Sequence, residues 1–177
     1  MKKRPIPLQY DLPFDEPEES PTTQEKTPEQ LRVEEQGIID HAFRILEARH
    51  RHGDALTSPE ATRSYLRLKL AEELNEVFGC IFLDNRHRVI KDEYLFRGTI
   101  DGASVHPRVV VQKTVLYNAA AVIFYHNHPS GVAEPSQADV RITTRLKDAL
   151  ALVEVKVLDH IVVSVEGHTS LAERGLI

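Results

Sequence analysis

The chain has 177 residues, 41% of them hydrophobic, and 22 Lys+Arg against 27 Asp+Glu give a formal net charge of −5. That suits one domain with an appendage and a single core, and it argues against a protein held on nucleic acid mainly by its own positive field. One cysteine, Cys80, beside nine histidines excludes an internal disulfide framework and any Cys-only zinc site, so a metal site here must use imidazole and carboxylate.

Residues 1–30 hold six of the ten prolines and none of the eight glycines. They include the acidic run Asp15-Glu16-Pro17-Glu18-Glu19-Ser20-Pro21, and they read as a disordered tail that cannot bury enough surface to offset its ordering entropy. The tail carries four basic and seven acidic residues, so most of the net charge belongs to it and the folded part is close to neutral. Met1-Lys2-Lys3-Arg4-Pro5 is positive, but no apolar segment follows. No secretory signal is expected, and the cytoplasm is the default location. No apolar run reaches 18 residues, so no membrane span is expected.

Residues 31–74 read as a helical N-terminal segment. Thr27-Pro28-Glu29-Gln30 suits a capped helix start with proline in the first turn. Ile38, Ile39, Ala42, Phe43, Ile45 and Leu46 then recur at helical spacing until Gly53. Ser58-Pro59-Glu60-Ala61 repeats the start signal, and Tyr65, Leu66, Leu68 and Leu70 give a second stripe up to about Leu74.

Residues 75–177 read as the main domain. Glu76–Asp84 is a near-continuous apolar run with β-branched and aromatic residues, which predicts a buried strand. Asn85-Arg86 would turn it into a second strand over about His87–Thr99. Val105–Ala121, opening with His106-Pro107, predicts a helix, although Val109–Val111 is a β-branched run within it. Ala120–Tyr125 is a short apolar strand. It ends in His126-Asn127-His128-Pro129-Ser130-Gly131, where proline and glycine enforce a loop. Pro135-Ser136 starts another helix with Val140, Leu146 and Leu150 on its apolar side, and Val153–Val165 is the last strand. The order ααββαβαβ predicts a mixed α/β domain, a sheet with helices packed on it and two helices ahead of it.

The chemistry concentrates in residues 126–139. His126 and His128 stand two apart at a strand end, and the period of two aims both imidazoles at the same side. Asp139 follows eleven residues later, one turn into the next helix, and the loop is long enough to fold it back beside the strand end. Two histidines and a carboxylate leave a fourth tetrahedral position for water, the pattern of a catalytic zinc. Ser136-x-x-Asp139 is also a capping box variant, and the two roles are compatible. The composite pattern His-x-His-x7-Ser-x-x-Asp should arise by chance on the order of once in a thousand chains of this composition.

This pattern resembles the JAMM motif of the MPN(+) metalloproteases. The surroundings are similar to the RadC-like bacterial branch: Asn75–Asp84, Phe96-Arg97-Gly98-Thr99, Val105-His106-Pro107-Arg108, Asn118–Ile123 and Leu158–Val163. The resemblance runs from about Ile38 to Ile177. It implies a curved sheet flanked by helices, as in JAMM and cytidine-deaminase domains. It also implies one Zn2+ held by His126, His128 and Asp139, with Ser136 stabilising the oxyanion. The family's upstream glutamate is best matched by Glu76, with Glu72 and Glu73 nearby. The implied activity is a zinc metallopeptidase acting on a peptide or isopeptide substrate.

The branch carries a DNA-repair label, so an accessory role in repair or in a mobile element, on or near nucleic acid, is the alternative. The near-neutral domain and the absence of a clear Gly-rich hairpin upstream give that role no support. A zinc deaminase on the related fold would need a Cys-x-x-Cys pair, which a single cysteine excludes. His106 and Arg108 match the RadC-like pattern without a derived role. His160 could support the metal ligands from behind or simply be packed, with packing favoured, and Cys80 is expected to be an inert core residue.

Overall fold

The computed structural model describes residues 26–51, 58–98 and 104–177. The acidic proline-rich run, Gly53 and Thr99 lie outside the described residues. Helix α1 (Pro28–Arg51) and helix α2 (Pro59–Leu70) come first. Their starts follow the expected chemistry. The Gln30 side chain accepts from Thr27 N, Thr27 Oγ1 accepts from Gln30 N, and Ser58 Oγ accepts from Ala61 N.

Five strands then form one mixed sheet: β1 (Val77–Leu83), β2 (Val89–Arg97), β3 (Ala121–Asn127), β4 (Lys156–Val163) and β5 (His168–Ser170). Their spatial order is β2-β1-β3-β4-β5. All pairs are antiparallel except β3 with β4. A parallel pair needs a crossover, and helix α4 (Gln137–Ala151) supplies it. Helix α3 (Pro107–Leu116) joins β2 to β3. The expected helices and the four longer strands are present, and the β-branched run Val109–Val111 is helical. The short β5 was not anticipated; His168-Thr169-Ser170 has no apolar run to announce it.

The central strands β1 and β3 are buried along their whole length, as expected for a sheet covered on both faces. One face packs Tyr65, Leu66 and Leu70 of α2 against Ile81, Leu83, Ile123 and Tyr125. The other packs Leu146 and Leu150 of α4 and Val110 of α3 against Cys80, Phe82 and Phe124. Cys80 is fully buried, as expected of a core residue. Tyr125 reaches across β1 only because residue 79 is glycine: a Cβ there would overlap the Tyr125 ring. No described helix is long and apolar enough to cross a membrane.

Candidate metal centre

The centre forms at the C-terminal end of β3, where β4 and the start of α4 meet it. His126 is the penultimate residue of β3 and is 1% exposed. His128 lies just past the strand, and Asp139 lies in the first turn of α4. One donor atom from each of the three falls within 4.8 Å of the others. His126 Nε2 is 2.9 Å from His128 Nε2 and 3.4 Å from Asp139 Oδ1, and His128 Nε2 is 3.6 Å from Asp139 Oδ2.

Hydrogen bonding fixes which nitrogens are bare. His128 Nδ1 lies 2.9 Å from the Val132 carbonyl oxygen, so Nδ1 carries the proton and Nε2 a lone pair. For His126 the reasoning runs through two more residues. Thr143 Oγ1 donates to the Asp139 carbonyl at 2.5 Å, so it can accept from His160 Nδ1, 2.6 Å away. His160 Nε2 is then an acceptor and takes the Nδ1 proton of His126 at 2.8 Å. Both Nε2 atoms therefore face each other, and a carboxylate, as bare lone pairs. Only a cation, a proton or a metal ion, can sit among three such atoms without repulsion.

With protons rather than a metal ion in that place, the imidazoles become cationic donors to Asp139, and the electrostatics follow from that state. Hydrogen bonding to Asp139 raises the His128 pKa against the opposing effect of burial. Burial alone would push the Asp139 carboxyl up, but hydrogen bonds from His126, His128 and Ser136 outweigh it and hold it well below the usual carboxylate range. Burial, with the His126 charge second, pushes His160 well below the ordinary histidine range and keeps its ring neutral. Aromatic rings wall the inner side. Phe78 stacks near His126 with centroids 6.5 Å apart, and it meets His160 edge-on at 5.4 Å.

Ser136 is the N-cap of α4 and forms the expected capping box with Asp139. Ser136 Oγ accepts from Asp139 N at 3.2 Å and donates to Asp139 Oδ2 at 2.6 Å, and Ser136 N donates to the same oxygen at 2.6 Å. The cap thus orients the carboxylate.

Glu76 immediately precedes β1, and the antiparallel register pairs Phe78 with His126. Glu76 stands two residues before Phe78 and next to Val77, whose N–H the Asn127 side chain holds. Its negative charge contributes to the raised pKa of His128. Glu73 is engaged elsewhere, in a 2.9 Å ion pair with Arg97. Glu72 lines a cleft with Asp40, Phe43 and Tyr94.

Two residues of the centre, Thr143 and Asn127, were not anticipated, and for His160 the less favoured of two readings holds. His160 is not simply packed: it hydrogen-bonds His126 and Thr143. Thr143 links it to the backbone of Asp139. Asn127 accepts from Val77 N at 2.8 Å and donates to the carbonyls of Glu73 and Asn75 at 3.1 and 3.0 Å. It clamps the segment that delivers Glu76. The signal for Asn127 was an amide inside an apolar strand, since a buried amide demands partners. His106 packs edge-on against Phe96, with centroids 5.8 Å apart.

A groove of about 810 Å³ borders the centre, with His128, Leu74, Arg67 and Val165 among its lining residues. Leu74 and Val165 are 84% and 82% exposed. Large apolar side chains left open beside a concave site mark an interaction surface.

The mixed sheet, the crossover helix and the His-His-Asp cluster at the strand end together define a JAB-type domain. Residues 56–176 match the family model described as the RadC-like JAB domain, and the chain belongs to that family. Among curated relatives, a UPF0758 protein of Thioalkalivibrio sulfidiphilus is 58% identical over 142 residues, covering 80% of this chain and 63% of that protein. A UPF0758 protein of Nitrosococcus oceani is 59% identical over 143 residues, again covering 80% and 63%. One of Vibrio cholerae is 57% identical over 146 residues, covering 82% of this chain and 92% of its own length. The chain thus spans just under two thirds of the first two relatives. Their names assign no activity.

Proposed function

We propose that the chain is a zinc-dependent metallohydrolase that cleaves peptide or isopeptide bonds, with His126, His128 and Asp139 as the metal ligands. The observation that carries this reading is the wiring of the two imidazoles. Each Nδ1 is committed to a hydrogen bond, and both Nε2 atoms converge on a carboxylate. Nitrogen and carboxylate donors without thiolate suit zinc.

Zinc held there would supply Lewis-acid chemistry, acidifying water and polarising a carbonyl. The remaining work falls to the chain. Glu76 takes the proton of the attacking water and returns it to the leaving amine, a general acid–base role worth about 10²–10⁴-fold in rate. Ser136 holds Asp139 in place; its hydroxyl, once turned from Asp139 Oδ2, can donate to the developing oxyanion. The apolar groove beside His128, open at Leu74 and Val165, suits an extended peptide better than a small polar substrate.

The test uses the purified chain, a peptide library read by mass spectrometry for new termini, and metal analysis. One equivalent of zinc is expected, with cleavage lost to a chelator and restored by zinc. Glu76→Gln should keep the metal and lose the cleavage. A protein that takes up no metal when zinc is supplied would overturn the reading.

A further inference from the structure

The groove that His128 borders is walled on one side by α2. Ser64, Arg67 and Leu68 stand three and four residues apart, so they share one face of that helix, and all three line the groove. Leu74, past the end of the helix, and Val165, past the end of β4, give it two open apolar side chains.

The charges in this wall do not cancel. Glu73 lines the groove, but the Arg97 guanidinium holds its carboxylate through two hydrogen bonds of 2.9 and 3.4 Å. Arg67 is exposed and has no ion-pair partner among the described residues. The other two cations of α2 are committed: Arg63 pairs with Glu173, and Lys69 pairs with Asp92 at 2.6 Å. The charge of Arg67 is felt at His168 of β5, whose pKa is lowered by burial first and then by Arg63 and Arg67.

A guanidinium left without a counter-charge in the wall of an apolar groove favours a carboxylate in whatever fills that groove. Ser64 continues the lining one turn beyond Arg67, so the groove does not stop at the guanidinium. A peptide can therefore run past it, which favours an acidic side chain within the peptide over a terminal carboxylate. At an exposed arginine such a pair adds little affinity, but it discriminates between sequences.

We propose that Arg67 sets the sequence preference of the groove. The peptide it takes carries an Asp or Glu that reaches the Arg67 guanidinium, with apolar side chains against Leu68, Leu74 and Val165. This rests on the reading of the groove as the peptide site of a metallohydrolase.

The test reads binding apart from cleavage. An array of short, mostly apolar peptides carries Asp, Glu, Asn, Gln or Lys at one position at a time. Binding is read with the full chain as Glu76→Gln, alone and combined with changes at Arg67. Asp and Glu should be held over Asn and Gln by about three- to tenfold at one position, and added salt should shrink the difference. Arg67→Gln should abolish the preference, and Arg67→Lys should keep part of it. Arg67→Glu should turn it toward Lys, which a merely structural role for Arg67 would not do. No peptide held, peptides held without regard to charge, or a preference unchanged by Arg67→Gln would each overturn the proposal. Cleavage by the unaltered chain with no acid enriched near the cut would also overturn it, and would leave the hydrolase reading standing. Acid-selective binding that follows Arg67, with no peptide cleaved, would support the role of Arg67 and count against hydrolysis instead.

Discussion

His160 Nε2 lies 2.8 Å from His126 Nδ1, and this one contact decides which nitrogen of His126 faces the cluster. An imidazole ligand is only as well aimed as the group on its far side. Replacing His160 with Phe keeps the bulk and removes the acceptor. Zinc affinity should fall about 10–100-fold, the usual loss when a ligand's supporting hydrogen bond is removed. A competition titration against a chromogenic chelator measures it, and Thr143→Val should show a smaller loss in the same direction.

Asn127 is 5% exposed and makes three hydrogen bonds to backbone on the approach to β1. Asn127→Leu leaves the buried Val77 N–H without its acceptor, which should cost about 1–3 kcal/mol. Because that segment carries Glu76, any hydrolysis should fall further than zinc content does. Denaturant unfolding and metal analysis on the same preparation separate the two effects.

Gly79 and Tyr125 should behave as a coupled pair. Gly79→Ala drives a methyl into the Tyr125 ring, and overpacking of this kind costs about 1–3 kcal/mol. Tyr125→Leu removes the ring but also its 2.5 Å hydrogen bond to Asp92. The double variant should be less destabilised than the sum of the singles. Additive losses in a double-mutant cycle would count against a direct clash.

Cys80 offers a pH readout. Burial pushes its thiol well above the ordinary value, with Asp92 and Glu93 adding to the shift. The folded state therefore keeps a proton that the unfolded chain releases above about pH 8.5. Stability from this group is fully present below that pH and is lost as the pH rises through it. Cys80→Ala should flatten the alkaline limb of a stability–pH curve. In the unaltered chain the thiol should resist alkylation at pH 8 until the protein unfolds.

The three candidate donors, His126, His128 and Asp139, stood out in the sequence because they are close together in it. A strand end, a turn and a capped helix start are local features, and each leaves a mark within a few residues. The supporting residues left weaker marks. His160 reaches His126 through the parallel pairing of β3 with β4, whose register shifts between Val122 and Ile123. No periodicity in either strand foretells that shift. Thr143 looks like any threonine on a helix until its carbonyl partner is known. Glu76 stood beside Glu72 and Glu73; of the three, Glu76 adds its charge at His128, Glu73 pairs with Arg97 and Glu72 lines a separate cleft. The strand β5 went unseen because three polar residues gain their pairing only from the edge that β4 presents.

The crossover between β3 and β4 makes the centre local in one respect and remote in another. All three donors fall between residues 126 and 139, so they can come together over a short loop with little loss of chain entropy. The glutamate arrives from the far side of α3, through a pairing that joins residues 78 and 126. On the proposed reading, capture of the ion and arrival of the base are separate closures of very different loop length. A chain with β1 frayed from β3 would still hold the three donors together while lacking the proposed base beside them. Metal uptake reports that the first closure has formed; only turnover reports both.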